Sequence, residues 1–308
     1  MKNKILTYIN KENLLNRREK VVVTCSGGAD SIFLLHILNK LGFDCIVAHC
    51  NFHLRGEESD RDENFVREFC KRENLTLHVQ HFDTKQFATE NKLSIEMAAR
   101  ELRYNWFEEI RKEYNAGAIA VAHHSDDSIE TILLNLLRGT GLKGICGIRP
   151  KNSYIVRPLL CVNRKEIEDY LHEQGIEYIV DSTNLENEYT RNKIRNIVMP
   201  ILREINPQID SVMLSNAENF SAAESIYKEV IEKEKSSAVK TTDDSYIVDL
   251  KVVEKFTEPF TLLYECLKDF SFHPATIKTM LTAEGNTTFK TGKHVARKEK
   301  SKIIVKVL

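Results

Sequence analysis

The chain has 308 residues and a formal net charge of −1; 42% of its residues are hydrophobic and 29% are charged. This length is sufficient for two domains with separate hydrophobic cores, and the composition is typical of a soluble globular enzyme. The balanced charge lacks the basic excess of non-specific nucleic-acid binders, so any RNA-binding role must rest on local patches. No apolar run approaches the length of a membrane span, and we expect no membrane partner.

The seven cysteines are scattered and form no Cys-x-x-Cys pair. They stand at positions 25, 45, 50, 70, 146, 161 and 266. An odd, unpatterned set is typical of reduced thiols in a cytosolic protein and does not favour a zinc or iron–sulfur site. The segment Met1–Lys4 leads into polar, helix-like sequence and not into the apolar core of a signal peptide. We therefore predict a cytoplasmic protein.

The first functional signal is a strand, a glycine turn and a helix within residues 21–41. The β-branched run Val21–Thr24 ends at Ser26-Gly27-Gly28, and apolar residues then recur at positions 34, 37, 38 and 41, which predicts an amphipathic helix. Such a turn gathers backbone N–H groups and a helix N-terminus around an anion-sized space. Ser26 and Ser31 add hydroxyl donors, and Asp30 supplies a carboxylate that could hold Mg²⁺ or cap the helix. We expect a phosphate-binding loop here.

The residues of the turn exclude two common classes of phosphate-binding loop. No lysine follows Gly28 before the helix, as a Walker A loop requires, and the Gly-x-Gly-x-x-Gly dinucleotide pattern is also absent. The string Ser26-Gly-Gly-Ala-Asp-Ser31 resembles the pyrophosphate loop of the N-type ATP pyrophosphatases. Those enzymes cleave ATP between its α- and β-phosphates and activate a carbonyl oxygen as its adenylate. The alternative is an ordinary β-to-α turn with a good N-cap.

Strands alternate with helices over the first half of the chain. Further strands are predicted at 45–49, 76–82 and 118–122, and helices at 59–72, 94–114 and 126–138. This order predicts an α/β fold with a parallel sheet and helices on both faces, in which ligands bind at the carboxyl ends of the strands. The Ser26 loop, His49-Cys-Asn51 and His123-His124 all follow strands, so we expect them at one edge of the sheet.

Beyond Arg157-Pro-Leu-Leu160 the periodicity becomes mainly helical. Helices are predicted at 164–174, at 191–202, from Pro207 to about 235, around 260–270 and from Pro274; strands are predicted at 178–180 and 302–307, and a linker at 236–245. We place a domain boundary near Pro207. The predicted domains are residues 1–207, which form the parallel-sheet domain, and residues 208–308, which form a smaller, mainly helical domain.

Two carboxylates open the helix that follows the fourth strand. Asp127 and Glu130 stand three residues apart, on the helix side away from its apolar stripe. Together they could hold Mg²⁺ or the ammonium group of an amine substrate. The alternative is favourable charge on a first helical turn, beside a buried histidine. A nucleotide loop at the same sheet edge favours the functional interpretation.

Three further segments are polar or basic, and for each of them a functional role and a solvated surface both stay open. Residues 49–61 form a histidine- and arginine-rich segment that could cover adenine or line a polyanion path, or be a solvated loop. Glu96 and Arg100 have salt-bridge spacing on a predicted helix, where a surface pair contributes little. Arg191-Asn-Lys193-Ile-Arg195 gathers three cations that suit phosphate or RNA backbone, although a solvated basic face is the usual meaning of such a run.

Taken in order, these motifs resemble those of the tRNA(Ile)-lysidine synthetases, a family of the N-type ATP pyrophosphatase superfamily. The resemblance covers roughly residues 21–202. It rests on the following ordered set: Ser26-Gly-Gly-Ala-Asp-Ser31, Ala48-His-Cys-Asn51 with His53-Leu-Arg55, Glu96-x-x-x-Arg100-x-x-Arg103-Tyr104, Ala122-His-His-x-Asp-Asp127-x-x-Glu-Thr131, Arg138-Gly-Thr-Gly141, Arg157-Pro-Leu-Leu160, Asp181-Ser-Thr-Asn184 and Arg191-Asn-x-Ile-Arg195.

The resemblance implies a Rossmann-like fold of the adenine nucleotide α-hydrolase type and a two-step reaction. ATP would adenylate the C2 oxygen of the wobble cytidine in a tRNA(Ile) with a CAU anticodon. The ε-amine of free L-lysine would then displace AMP and leave lysidine, and Mg²⁺ would neutralise the departing pyrophosphate.

The resemblance also assigns residues by position. Asp127 and Glu130 would hold the lysine ammonium, His123 would lie beside them, and Asp30 would hold the metal. Arg195, and less surely Arg191, would contact the activated base or its phosphate. The ATP phosphates would bind to Ser26, Gly27, Gly28, Ala29, Asp30 and Ser31.

Many members of that family carry a further C-terminal domain that helps grip the tRNA. We expect this domain to be absent here, since the sequence stops at Leu308, as a short or a truncated form. A homodimer is a candidate assembly. Three other functions stay open: a tRNA thiolation enzyme of the same superfamily, a non-catalytic nucleotide-binding module, and a glutamine-fed synthetase, for which no glutaminase domain is recognisable.

Overall fold

The computed structural model describes residues 1–180 and 190–308, so the predicted turn Asp181-Ser-Thr-Asn184 lies outside the described residues. The chain divides into two compact units, Met1–Glu218 and Asn219–Leu308. None of the described helices is both long and apolar enough to cross a membrane.

The first unit is built on a six-stranded sheet of order β3-β2-β1-β4-β6-β5. Neighbouring strands are parallel from β3 to β6, and β5 is antiparallel to β6. The strands are β1 (Val21–Thr24), β2 (Cys45–Asn51), β3 (Thr76–His81), β4 (Ala118–Ala120), β5 (Lys151–Asn152) and β6 (Ile155–Val156). The predicted parallel sheet is confirmed, and its carboxyl edge carries the segments that sequence analysis expected there.

Within residues 1–180 and 190–205, ten helices surround the sheet or follow it in the chain. They are α1 (Lys2–Lys11), α2 (Ala29–Lys40), α3 (Glu57–Arg72), α4 (Thr84–Asn91), α5 (Ile95–Glu113), α6 (Ser125–Arg138), α7 (Leu142–Ile145), α8 (Arg164–Glu173), α9 (Thr190–Lys193) and α10 (Met199–Ile205), with a π-helical turn at Ile194–Val198 between the last two. The predicted helices at 59–72, 94–114, 126–138, 164–174 and 191–202 are thereby confirmed.

Alternation along β1 supplies two cores, one on each face of the sheet. Val21 and Val23 pack with α1, α2, α3 and α8 on one face. Val22 packs with Phe107 and Ile110 of α5 on the other. The sheet therefore has helices on both faces, which leaves its carboxyl edge as the natural place for a ligand.

The prediction that α2 is amphipathic was wrong. Residues 31 to 38 are all buried, including Phe33 and His36, which lie outside the predicted apolar stripe. The reason is a second layer, since α8 packs over α2 and Tyr170 meets the Phe33 ring edge-on at 5.3 Å. The phosphate-loop candidate is thus carried by a central helix that is packed on all sides.

The second unit combines helices with a five-stranded antiparallel sheet of order β7-β8-β11-β10-β9. Its elements are β7 (Val239–Thr242), β8 (Ser245–Asp249), α12 (Leu250–Val253), α13 (Pro259–Leu267), α14 (Pro274–Thr282), β9 (Thr288–Lys290), β10 (His294–Glu299) and β11 (Lys302–Val307). The division between the units falls within the long helix α11 (Ile209–Ala238).

Sequence analysis found helices α13 and α14 of this unit and its last strand but not α12, and the predicted linker at 236–245 was wrong. Ala238 is buried, and Val239–Thr242 pairs with β8. The segment is polar because β7 is an edge strand whose residues 240 to 242 face solvent. Charged and polar side chains on an exposed edge also discourage pairing with other chains. The predicted strand at 178–180 is reduced to a single bridge between Ile179 and Gly28.

Candidate active site

A cavity of about 340 Å³ opens at the carboxyl edge of the first sheet. The ends of β1, β2 and β4 supply one part of its wall and helix α5 supplies another. Its lining consists of Thr24, Cys25, Ser26, Gly28, Asp30, Ser31, Ala48, Cys50, Phe52, Arg100, Arg103, Tyr104, Phe107, Val121, Ala122, His123 and Asp127. The glycine loop, the second strand end and the His123 segment therefore meet in one place, as predicted.

The loop after β1 is organised by the hydroxyl of Ser31. Its Oγ accepts hydrogen bonds from the N–H groups of Ser26 and Gly27, both at 3.1 Å, and donates to the carbonyl of Gly28 at 2.9 Å. Ala29 and Asp30 begin α2, so their N–H groups have no intrahelical acceptor. This helix start, with the Ser26 hydroxyl in the cavity wall, offers the donors that an anion needs.

Gly27 is the position where this loop requires glycine. Its φ is +94°, a left-handed conformation that side chains disfavour, and a Cβ there would lie 2.7 Å from Cδ1 of Ile179. The Gly27 carbonyl also accepts a hydrogen bond from the N–H of Ile179 at 2.9 Å. The chain after α8 therefore presses directly against the loop.

Asp30 has the features of a magnesium ligand that shares its ion with a substrate. Its Oδ1 is buried and has no hydrogen-bond partner within the described part of the chain. Burial raises the pKa of Asp30, while the charges of His124 and Arg164 oppose that rise. No cluster of three or more potential protein ligands is found among residues 1–180 and 190–308. One carboxylate with phosphate oxygens and water is a usual environment for Mg²⁺, so the residues fit the ion.

His124 is buried at the centre of three carboxylates. Its Nδ1 lies 3.3 Å from Asp126, and its Nε2 lies 3.7 Å from Asp30 and 3.6 Å from Asp127. Burial alone would lower the pKa of His124, but the three carboxylates outweigh burial and raise it. The His124 ring therefore links the phosphate loop to the first turn of α6.

Asp127 and Glu130 diverge in the structure. Asp127 accepts a hydrogen bond from the backbone N–H of His124 at 3.0 Å and lines the cavity. Glu130 is only 2% exposed; it accepts two hydrogen bonds from Arg195 and lines a second cavity of about 440 Å³. Burial raises the pKa of Glu130, and the Arg195 guanidinium opposes that rise. Only Asp127 of this pair is found among the residues lining the first cavity.

The basic run after α8 faces the carboxylates. Arg195 lies in the π-helical turn, 3.6 Å from Asp127 as well as against Glu130. Arg191 lies 3.6 Å from Glu130 and donates to the Thr131 hydroxyl at 3.2 Å. Two of the three cations are thus engaged with α6, although the Arg191 side chain stays exposed to solvent.

His123 lies in the cavity wall and is held from behind by a residue that sequence analysis gave no role. Arg157 is buried, and its Nε donates to Nδ1 of His123 at 3.2 Å. Burial lowers the pKa of His123 to about 4, with Arg157 and Arg191 acting in the same direction and Asp127 opposing them. His123 is therefore a neutral imidazole at physiological pH.

Four residues of α5 also form part of the wall without having been assigned a site role: Arg100, Arg103, Tyr104 and Phe107. Arg100 lies 4.9 Å from the ring of Tyr104, and Arg103 lies 5.2 Å from the ring of Phe52. Arg100 makes no ion pair with Glu96, as far as the described residues show. The i, i+3, i+4 spacing of Arg100, Arg103 and Tyr104 is the signal that could have found this wall.

In the polar segment that begins at the end of β2, some residues line the cavity and others only make hydrogen bonds within the fold. Phe52 and Cys50 line the cavity. His49 is buried and donates from Nδ1 to the carbonyl of Cys25 at 2.9 Å, and His53 pairs with His81 at 2.8 Å. The segment is therefore neither wholly a site nor only a solvated loop.

Residues 1–202 match the family model of the PP-loop domain, and residues 241–308 match the TilS substrate binding domain. The tRNA(Ile)-lysidine synthase of Porphyromonas gingivalis is 41% identical over 308 residues, with 98% of this chain and 67% of that protein covered. The chain belongs to the tRNA(Ile)-lysidine synthase family. The family member from Bacteroides thetaiotaomicron is 49% identical over 278 residues, covering 90% of this chain and 64% of that protein.

The chain thus spans about two thirds of the length of these family members. A solved structure with the same fold is the U34-tRNA thiolase NcsA from Methanococcus maripaludis. Its TM-score is 0.58 at 17% identity, with 71% of this chain and 77% of that chain covered. This likeness supports the predicted fold class and carries no statement about the reaction.

Proposed function

We propose that this chain ligates free L-lysine to C2 of the wobble cytidine in a tRNA(Ile) with a CAU anticodon. ATP would be split into AMP and pyrophosphate, through an adenylated cytidine. The observation that carries the proposal is that the Ser26–Ser31 loop and the Asp127 carboxylate line the same cavity. A phosphate site and an ammonium site within one cavity suit a reaction that joins an ATP-activated oxygen to an amine. Such a reaction belongs in the cytoplasm, and homodimer formation stays a prediction.

The loop would bind ATP through Ser26, Gly27, Gly28, Ala29, Asp30 and Ser31. The N-terminus of α2 supplies partial positive charge, and the hydroxyls supply further donors. Asp30 would hold Mg²⁺ through the oxygen that lacks a protein partner. When bound, the ion neutralises charge on the departing pyrophosphate.

Asp127 would receive the ε-ammonium of lysine, because it lines the cavity and its ion pairs with His124 and Arg195, both at 3.6 Å, are longer than the Glu130 pair. Glu130 would act indirectly by positioning Arg195, since its carboxylate already forms an ion pair with that residue at 2.6 Å. Arg195 in turn would face the activated base or its phosphate from beside Asp127. Orientation of the amine by a fixed carboxylate brings the nitrogen to the reacting carbon and also offers an acceptor for its proton.

The wall formed by α5 and Phe52 would receive the cytidine. Tyr104 and Phe52 offer aromatic surface, and Arg100 and Arg103 place guanidinium groups beside them. Unpaired RNA bases are commonly bound by stacking on aromatic rings and on arginine planes, while arginine also pairs with phosphate. A protein of net charge −1 can therefore meet RNA through a local patch.

The thiolation alternative is not favoured by the cysteines at the cavity. Burial raises the pKa of the Cys25 thiol to about 11 and that of Cys50 to about 12, and these are the two cysteines in the lining. A sulfur carrier needs a thiolate or an accessible thiol, and reactive cysteines have lowered pKa values. Neither the Cys25 nor the Cys50 thiol has a lowered pKa.

Exchange of labelled pyrophosphate into ATP tests the adenylation step and separates an enzyme from a binding module. We expect exchange that depends on Mg²⁺ and on an unmodified tRNA(Ile) transcript with a CAU anticodon. The matched control transcript differs only in the wobble base, with uridine in place of cytidine. No exchange with either transcript would favour the binding module. Equal exchange with both would overturn the assignment of cytidine as the group that is activated.

A further inference from the structure

Arg157 is buried, and both of the hydrogen bonds described for its side chain go to uncharged acceptors. Its side chain donates from Nη1 to the carbonyl of Arg149 at 2.8 Å and from Nε to His123 at 3.2 Å. No carboxylate forms an ion pair with it within residues 1–180 and 190–308. A buried charge without a counter-ion is costly, so its position at the site calls for a role other than folding stability.

The sheet register brings Arg157 to His123. Strands β4 and β6 are parallel neighbours, with Ala120 opposite Val156, and the N–H of Val121 donates to the carbonyl of Val156 at 3.0 Å. Arg157 follows β6 directly, and His123 follows β4. Each therefore leaves the sheet at the same edge, one strand apart.

The contact fixes the protonation state of His123, because a guanidinium nitrogen can only donate. Nδ1 of His123 must then accept, so it carries no proton. A neutral imidazole with a bare Nδ1 has its proton on Nε2, whereas an imidazolium would set an N–H against the guanidinium. The other charged groups that act on the ring are Asp127, Arg191 and His124.

We infer that Arg157 is a positioning residue that keeps the proton of neutral His123 on Nε2, and so keeps the Asp127 charge available for the substrate amine. A protonated His123 would compete with the lysine ammonium for Asp127 in the same cavity. Neutral His123 instead presents one N–H donor for an anionic oxygen. This inference rests on the proposed function for the identity of the amine, but the tautomer itself does not.

The first test is nitrogen NMR of the ¹⁵N-histidine-labelled chain without substrates, with His123→Gln used to assign the resonance. We expect a ring with bare Nδ1 and protonated Nε2 that stays neutral from pH 5.5 to pH 8. In Arg157→Met, Nδ1 loses its donor although the ring stays buried, so the fraction of rings with a proton on Nδ1 should rise; in Arg157→Lys, which keeps a donor and a charge, Nδ1 should remain bare. A protonated Nδ1 in the unaltered chain would overturn the inference whether or not lysine is ever transferred.

The second test is the pH dependence of KM for lysine. Arg157→Met removes one of the two arginines that oppose protonation of His123, while the ring stays buried and Asp127 still favours protonation. KM for lysine should then rise more between pH 8 and pH 5.5 in that variant than in the unaltered chain, while pyrophosphate exchange changes less. Arg111→Met is the matched control, because Arg111 also donates to a loop carbonyl, that of Ala116, and lies outside the cavity lining. A pH-independent loss in Arg157→Met would instead indicate a merely structural role.

Discussion

Arg195 donates two hydrogen bonds to Glu130, from Nε to Oε1 at 2.6 Å and from Nη2 to Oε2 at 3.0 Å. The carboxylate is 2% exposed and the guanidinium about a quarter exposed. Burial opposes the Arg195 charge, but these hydrogen bonds outweigh it and raise the pKa of Arg195. The pair joins α6 to the π-helical turn, so it decides where the basic run lies relative to Asp127.

Glu130→Gln should therefore destabilise the first unit as well as reduce activity. Removing the Glu130 charge leaves a largely buried guanidinium with only the more distant carboxylate of Asp127 as counter-charge, so the free energy of unfolding should fall by up to about 3–5 kcal/mol. Urea unfolding monitored by circular dichroism measures the change. Glu108→Gln is the matched control, since Glu108 also binds an arginine, Arg111, through two hydrogen bonds but at a more exposed site. Equal losses in the two variants would show that burial of the Glu130 pair is not the cause.

Asp127→Asn should separate the two half-reactions. The amide keeps the size of the side chain but removes the charge that would hold the lysine ammonium. We expect lysine incorporation to fall more than about 100-fold, a loss of roughly 3 kcal/mol in transition-state stabilisation. Pyrophosphate exchange should persist in part. An equal fall in both assays would count against the lysine-binding role.

Asp30→Ala should abolish pyrophosphate release altogether. The carboxylate oxygen proposed to hold Mg²⁺ is lost, and with it the ion that neutralises the leaving group. Pyrophosphate release with the tRNA transcript, measured across a magnesium titration, tests this. Ser236→Ala, on the exposed surface of the second unit, serves as the control. A normal rate in Asp30→Ala would refute the metal-ligand assignment.

Gly27→Ala should lower the free energy of unfolding more than the same substitution at another glycine with a positive φ. Gly27 combines a φ of +94° with a Cβ site 2.7 Å from Ile179, whereas Gly175 has a φ of +63° and open space around its Cβ site. The backbone strain alone is about 1 kcal/mol, so Gly175→Ala should lose about that much and Gly27→Ala clearly more. Thermal unfolding of both variants gives the comparison. Similar melting temperatures would mean that Ile179 yields to the new methyl group.

Asp126 should contribute to acid stability. Burial opposes its charge, but the hydrogen bonds and charges of His124, Arg164 and Arg203 together lower the pKa of Asp126 from 3.8 to about 2. A lowered pKa stabilises the folded state above pH 4, by roughly 2 kcal/mol here, and this contribution is lost as the pH falls from 4 towards 2. Unfolding free energies from pH 7 to pH 2.5 should therefore fall less steeply for Asp126→Asn than for the unaltered chain. Parallel curves would contradict the assignment.

The sequence was sufficient to predict strands β1 to β4 and the positions of the glycine turn and of the α6 carboxylates, because each lies in a segment with its own local pattern, but it did not predict β5 and β6, which have two residues each. The roles of Arg157 and of Arg100 could not be predicted in the same way. The first depends on the pairing of β6 with β4, and the second on which side of α5 meets the sheet. Both are long-range packing facts without a local signature.

The sheet of the second unit escaped prediction for a related reason. Strand β9 has three residues, and β7 exposes residues 240–242, so neither shows a hydrophobic alternation long enough to predict a strand. Their stability comes from partners distant in the chain, such as β11 for β8. Helices α13 and α14 were found because each carries its own apolar stripe, whereas α12 has only four residues.

Transfer of radiolabelled lysine to an unmodified tRNA(Ile) transcript with a CAU anticodon tests the central claim most directly. The reaction should require ATP and Mg²⁺, release one AMP per lysine attached, and place the label on the wobble cytidine. Labelled cysteine is the control donor and should give no sulfur transfer. Incorporation of sulfur without lysine, or consumption of ATP with neither donor attached, would contradict the account.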